Sequence, residues 1–308
     1  MSCINRDAAD NTPDAMHDAA MAPRLLLPTP PDARNGARVL STSAAPGTLY
    51  IPGDMPTAPL MRSPEFVQIS TAAAVTLGVV PGKLFRCSCT RCLNLLLTYP
   101  EGCRANCAYC GLARHREARH DYADRNFIRV DWPALRVAEL IDRVASQGAA
   151  TPFHRMCISM ITHPRSEADT FAILKAWTDR IPPGDIPVSI LSNPTTMTRQ
   201  DVARLDALGA EIFTVALDAT TPDIFERTRG KGVASPHCWR KYWEVIDDAA
   251  DIFGRGRFGA HIIVGMGETE REVLELVQRL VDKGGHSHLF CFLSRTRLTH
   301  GSSAGNAT

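Results

Sequence analysis

Thr98–Arg114, TYPEGCRANCAYCGLAR, is the stretch on which the reading of this chain turns. It follows the apolar run Leu93–Leu97 and so reads as a loop at the C-terminal end of a strand. Cys103, Cys107 and Cys110 stand in it as CxxxCxxC. Three thiolates at this spacing can bind three irons of a cubane [4Fe-4S] cluster, because cysteine thiolate is the usual ligand for such iron. The fourth iron is then left open for chemistry. A zinc knuckle is the plainer alternative, but a closed structural zinc site takes four ligands, usually as two pairs, and no second pair adjoins this one.

Downstream of the loop the pattern alternates. Strands are expected at 93–99, 155–161, 187–192, 212–218, 258–265 and 287–293, with helices at 134–147, 168–180, 198–208, 239–252 and 269–283. Short apolar strands between amphipathic helices predict an α/β fold with a parallel sheet covered by helices. Such units close most naturally into a partial or full barrel, here spanning 93–293, whose sites lie at the C-terminal ends of the strands. Upstream, Glu65–Val80 (EFVQISTAAAVTLGVV) has helical spacing and stops at Pro81-Gly82, so 65–92 is expected to hold a helix and then a cysteine-bearing segment. Residues 1–64 hold about half of the 21 prolines and no sustained apolar period, which predicts a disordered extension. The tail 294–308, SRTRLTHGSSAGNAT, has no apolar periodicity either and reads as a truncated or frameshifted end.

A length of 308 residues suits one α/β barrel. The net charge of +1, with 22% charged residues, gives no general reason to expect nucleic acid or a membrane surface as partner. There is no signal-peptide pattern and no apolar run of membrane-spanning length, so the ten cysteines point to metal binding in a cytoplasmic protein rather than to disulfides.

The CxxxCxxC array, with the aromatic Tyr109 before its last cysteine, resembles the CxxxCxΦC motif of the radical S-adenosylmethionine (radical SAM) enzymes. The resemblance covers about residues 65–293 and implies a six-stranded partial (β/α) barrel, a [4Fe-4S] cluster on Cys103, Cys107 and Cys110, and S-adenosylmethionine as cosubstrate. It also implies SAM contacts beyond Tyr109. Asp218 in TVALDAT is similar to the NxDT aspartate of biotin synthase that meets the ribose, with Ala216 in place of the asparagine. Gly265 and Glu268, in IIVGMGE, match an IxGxxE motif whose backbone touches adenine, although an acid at a helix N-terminus is favoured in any case. His163 stands where many members have a glycine-rich motif; it is either a polar contact or a solvated loop residue. Arg240, with Arg229 and Lys241, is placed to meet the methionine carboxylate, a solvated helix face being the alternative. Asn193, at the third strand end, is either a ligand for a polar group or ordinary turn chemistry.

Cys87, Cys89 and Cys92 form CxCxxC just before the first barrel strand. Lipoyl synthase has an auxiliary-cluster cysteine motif in a similar position, which implies a second, auxiliary [4Fe-4S] cluster here. A fourth ligand could be Cys157, Cys238 or Cys291, of which Cys157 resembles a second-strand cluster cysteine of biotin synthase; packing in the strand is the other reading for Cys92 and Cys157. The cysteine-loop context, with RMCISMITHP and FIRVDWP, looks most like one subunit of the two-protein lipoyl synthases. That likeness implies sulfur insertion into an octanoyl chain on a carrier-protein lysine. Its partners would be the octanoylated lipoyl-carrier protein, a second radical SAM subunit and a ferredoxin or flavodoxin as electron donor. Another radical SAM reaction, of the biotin-synthase kind, and a non-catalytic metal- or cluster-binding interaction module are the alternatives.

Overall fold

The computed structural model describes residues 61–82, 91–115 and 132–291. The chain divides at Ala58/Pro59, and every described residue belongs to the second unit. Cys3, Cys87 and Cys89, most of the N-terminal extension and the tail lie outside the described residues.

Eight strands make one sheet: β1 (Phe66–Ile69), β2 (Cys92–Leu97), β3 (Ala134–Arg136), β4 (Arg155–Ser159), β5 (Val188–Ser192), β6 (Ala210–Asp218), β7 (Phe258–Val264) and β8 (His286–Cys291). Their order is β3-β1-β2-β4-β5-β6-β7-β8. From β2 to β8 the pairs are parallel, as a β/α alternation requires, while β1 is antiparallel to both β2 and β3. The helices are α1 (Thr71–Thr76), α2 (Val137–Gln147), α3 (Ser166–Thr178), α4 (Arg199–Ala207), α5 (Pro222–Thr228), α6 (Trp239–Phe253) and α7 (Glu270–Asp282). Val137, Leu140, Ile141 and Val144 bury one stripe of α2, the i, i+3, i+4, i+7 pattern of a helix lying on a sheet. Reciprocal capping boxes, Thr198 with Asp201 and Thr269 with Glu272, start α4 and α7 and satisfy backbone donors left free at a helix start.

The six parallel strands and five crossover helices stand where the apolar pattern put them. Two differences are instructive. The helix expected over 65–80 is replaced by β1 and the short α1, and the helix expected from 134 begins only at Val137. The cause is one pairing: Phe66, Val67 and Gln68 of β1 lie opposite Arg136, Leu135 and Ala134 of β3, and β1 also pairs with β2. Strand pairing with partners distant in sequence overrides a weak local helical preference.

Phe213 of β6 stacks on Phe253 of α6, with ring centroids 5.6 Å apart, which marks its side of the strand as the helix-covered face. The opposite parity lines the inner face. There Leu96, Ser159, Leu191, Thr214, Gly259 and His286 stand side by side across six strands. Gly259 is required in this row: a Cβ would sit 2.4 Å from the His286 carbonyl oxygen and 2.7 Å from its ring. Burial, the neighbouring His288 and the Arg155 guanidinium hold the His286 imidazole below the usual histidine range. β4 and β8 are four strand spacings apart, roughly 19 Å if the sheet were flat. Arg155 is felt at His286 because the sheet curls into a partial TIM-type barrel.

Candidate active site

The loop after β2 is held by backbone bonds to elements far along the chain. Arg104 N–H donates to the Thr162 carbonyl beyond β4 (2.8 Å), and Ala108 N–H donates to the Thr228 carbonyl at the end of α5 (2.8 Å). Asn106 is buried and ties the loop to the segment after α5, its N–H donating to Ser235 Oγ (2.9 Å) and its side-chain amide to the Val233 carbonyl (2.9 Å). Inside the loop, Cys110 N–H donates to Cys107 O (3.1 Å), and Cys110 Sγ accepts from Leu112 N–H (3.4 Å). Cys107 is buried, while Cys103 and Cys110 are half-buried.

Burial pushes the Cys107 thiol up to about 11, against the pull of Arg229, and raises Cys110 as well; the neighbouring cysteines add to both shifts. Burial keeps these thiols protonated in the absence of a metal, and a bound metal would displace the protons. Among the described residues no three Cys, His, Asp or Glu side chains converge on a single metal ion. A cubane asks for something else, separate thiolates on separate irons. Three thiols in one loop fit three separate irons of such a cluster.

Next to the loop lies a buried polar network centred on Arg229, which is 2% exposed. Its guanidinium donates to Asp218, Asn193, the Tyr109 hydroxyl (2.6 Å) and the Tyr242 hydroxyl (2.9 Å), and Tyr109 donates in turn to Asp218 (2.7 Å). His237 Nδ1 continues the chain to Tyr242 (2.9 Å) and Thr195 (2.6 Å). Burial alone would lower the Arg229 guanidinium, but the facing oxygens of Tyr109, Tyr242 and Asp218 hold it well above its usual range. Burial and Arg229 together keep His237 neutral, well below the usual histidine range.

Asp218 reaches this network by a backbone device. Pairing of β6 with β7 slips by one residue between Ala216 and Asp218, and Asp218 has φ of 60°. A non-glycine residue in the left-handed region is strained by about 1–3 kcal/mol and persists where its surroundings hold it. Here the Arg229 and Tyr109 bonds do so.

The remaining expected residues are more scattered. Gly265 (φ 104°) and Gly267 (φ 108°) turn the chain after β7 in a conformation that glycine alone adopts readily, and the Glu268 carboxylate folds back to accept from Gly265 N–H and Met266 N–H (2.9 Å). His163 stacks on Tyr99 at 3.7 Å, accepts from Arg165 N–H (3.2 Å) and is lowered below its usual range by burial. Arg240 is not brought to the group: it lies on α6, 85% exposed and paired with Glu244. Arg229 takes the central place among the three cations. Asn193 is already engaged, accepting from Arg229 and donating to the Met160 carbonyl (2.7 Å). Thr162 Oγ1, Thr220 Oγ1 and His237 Nε2 are buried polar atoms without a partner, and Thr162 and Thr220 follow β4 and β6 at the strand ends nearest the loop. Unpaired polar atoms there are what a polar ligand at the strand ends would satisfy. A cleft of about 410 Å³ opens beside Cys103, lined in part by Tyr99, Glu101, Leu112 and Ile161. A larger one, about 690 Å³, lies at the opposite ends of the strands, between His154 and Arg180.

The profile of the Radical SAM superfamily matches residues 97–280, from the end of β2 into α7. The chain belongs to the radical SAM superfamily. Enzymes of this family use a [4Fe-4S] cluster and S-adenosylmethionine, and Cys103, Cys107 and Cys110 are the thiols in the matched region that fit the cluster. Solved structures with the same fold include a HydG, a maturase of the [FeFe]-hydrogenase (15% identity, TM-score 0.50, covering 68% of this chain and 44% of that one). Methylornithine synthase, PylB, is similar at 13% identity (TM-score 0.49, 74% and 62%). SuiB from Streptococcus suis, bound to S-adenosylmethionine, is similar at 15% identity (TM-score 0.44, 65% and 40%). The chain thus spans less than two thirds of each of these radical SAM proteins. No curated protein matches it.

On the inner face, two further cysteines meet. Cys92 of β2 and Cys157 of β4 place their Sγ atoms 3.0 Å apart. The bond to Cys157 and burial push the Cys92 thiol up, and the same bond pulls Cys157 down. On the same face Arg155 donates to Ser189 Oγ (2.8 Å) and pairs with Glu211, and the rings of His261, His286 and His288 are in contact. Periodicity gave no reason to expect either grouping, because both depend on register. No helix among the described residues is long and apolar enough to cross a membrane.

Proposed function

We propose that this radical SAM enzyme inserts sulfur into the C–H bonds of an octanoyl chain carried on a protein lysine, as one subunit of a two-protein lipoyl synthase. The observation that carries the reading is the Cys92–Cys157 pair, two thiols on the inner barrel face apart from the cysteine loop. With Cys87 and Cys89, outside the described residues, they are the thiols that would hold an auxiliary [4Fe-4S] cluster serving as the sulfur source. In this reading the partners are an octanoylated carrier protein, a second radical SAM subunit and a ferredoxin or flavodoxin, in the cytoplasm.

Cys103, Cys107 and Cys110 would hold the cluster, which with S-adenosylmethionine would supply radical abstraction of hydrogen from carbon. The chain's own residues orient and enclose. Asp218 is the acceptor for ribose hydroxyls, aimed by Arg229 and Tyr109. The turn at Gly265, pinned by Glu268, offers backbone to the adenine. Thr162 and Thr220 offer unpaired hydroxyls, and Leu96 and Ile263 exclude water from the inner face near the strand ends.

A second reading, a radical SAM reaction on a polar substrate, is favoured by Arg155, Ser189 and the three histidines of the inner face. Anaerobically reconstituted protein, incubated with S-adenosylmethionine, dithionite and an octanoylated carrier, with and without a second radical SAM subunit, separates the two. Thiolated octanoyl product supports sulfur insertion; 5′-deoxyadenosine without it removes that substrate and keeps the family chemistry.

A further inference from the structure

We infer that Cys92 and Cys157 are a redox couple that closes into a disulfide between β2 and β4. The register places Cys92 opposite Arg155 and Cys157 opposite Asn94, so the two cysteines are diagonal neighbours on one face of adjacent parallel strands. Their Sγ atoms stand 3.0 Å apart, about 1 Å beyond a disulfide bond length, and closing that gap draws the two strands together, since diagonal neighbours on adjacent strands stand roughly 8 Å apart at Cα, above the usual disulfide range. Both are half-buried on the inner face. Among the described residues these are the only two cysteines whose sulfurs are in hydrogen-bonding contact.

The oxidant is a low-molecular-weight disulfide, RSSR. The Cys157 thiolate attacks one sulfur of RSSR, forming a mixed disulfide and releasing RS⁻. Cys92, giving up its proton, then attacks Cys157 Sγ and releases the second RS⁻. Two electrons pass from the protein to RSSR, and the two thiol protons end on two RSH. A dithiol reverses the exchange. A closed bond withdraws both thiols from metal, and this consequence, unlike the disulfide itself, rests on the reading of Cys92 and Cys157 as auxiliary-cluster ligands.

The test uses the full chain prepared anaerobically without iron, incubated with glutathione disulfide, blocked with N-ethylmaleimide and mapped by mass spectrometry without reduction. Trypsin with a glutamate-specific protease cuts after Glu101 and separates Cys92 from Cys103. The expected product is a Cys92–Cys157 linked peptide, at least fivefold more abundant than any other linked pair, that dithiothreitol removes. Recovery of Cys92 and Cys157 only as separate alkylated or glutathionylated peptides would overturn the inference. Prior reconstitution with iron and sulfide tells the two claims apart. A link that forms equally with and without iron upholds the couple but removes both residues from the cluster ligand set, and a link suppressed by iron upholds both.

Discussion

The cysteine loop and the inner face of the sheet both gather thiols, but by opposite means. The loop has no regular structure, and its position comes from bonds reaching more than a hundred residues along the chain: Ala108 to Thr228, Asn106 to Val233, Tyr109 to Asp218. Cys92 and Cys157 are placed by strand register alone. A site of the first kind should fail when one buried partner is lost, and a site of the second kind when the strands slip.

The largest effect that would test this contrast is chemical. Cys107→Ala should abolish the cluster's absorbance near 400 nm and reduce 5′-deoxyadenosine formation at least ~100-fold, because the loop loses its most buried thiol; unchanged iron content would remove Cys107 from the site. Next comes Arg229→Met, which leaves the Asp218 carboxylate buried beside Tyr109 without its cation. A loss of about 3–5 kcal/mol is expected in denaturant unfolding of the iron-free chain, the scale seen when one partner of a buried ion pair is removed. A loss under about 1 kcal/mol would mean that the loop does not depend on this network.

Gly259→Ala attacks the other region, since the new methyl group meets the His286 backbone. It should cost about 1–3 kcal/mol by overpacking and speed amide exchange in β7 and β8 more than in the loop. The smallest effect concerns acid. Burial, with His288 beside it, pushes His261 down to about 3. The unfolded chain takes up this proton below about pH 6.5 while the folded chain does not, so the contribution is full above that pH and is lost as pH falls toward 3. Between pH 7 and pH 5 the loss should be on the order of 1–2 kcal/mol, and His261→Gln should remove that part of the pH dependence.

Much of the fold was legible because six apolar strands and five amphipathic helices repeat one simple unit. β1 was not, since FVQISTAAA fits a helical period and only its neighbours β2 and β3 make it a strand. The cysteine array was legible because its ligands sit within eight residues of each other. Arg229 could be read only as one of three cations, and the choice between it and Arg240 depends on α5 and the turn after it, which carry no strong periodic signal. The Cys92–Cys157 contact was legible only through the resemblance that offered Cys157 as a fourth ligand beside Cys92: a strand's pattern says which face a residue is on, not which residue of the next strand stands beside it.

The one-residue slip in β6 has a consequence in simple counting. Thr214 and Ala216 lie on the inner face, opposite Gly259 and His261, and without the slip Asp218 would continue that row. The extra residue changes odd to even, so the carboxylate lies opposite Ile262 and points to Arg229 and the loop. Pairing without the slip would remove no functional group, yet with Leu217 opposite Ile262 it would return the acid to the barrel interior and take it from its cation. Alanine at 218 would erase the carboxylate; a lost slip would misaddress it.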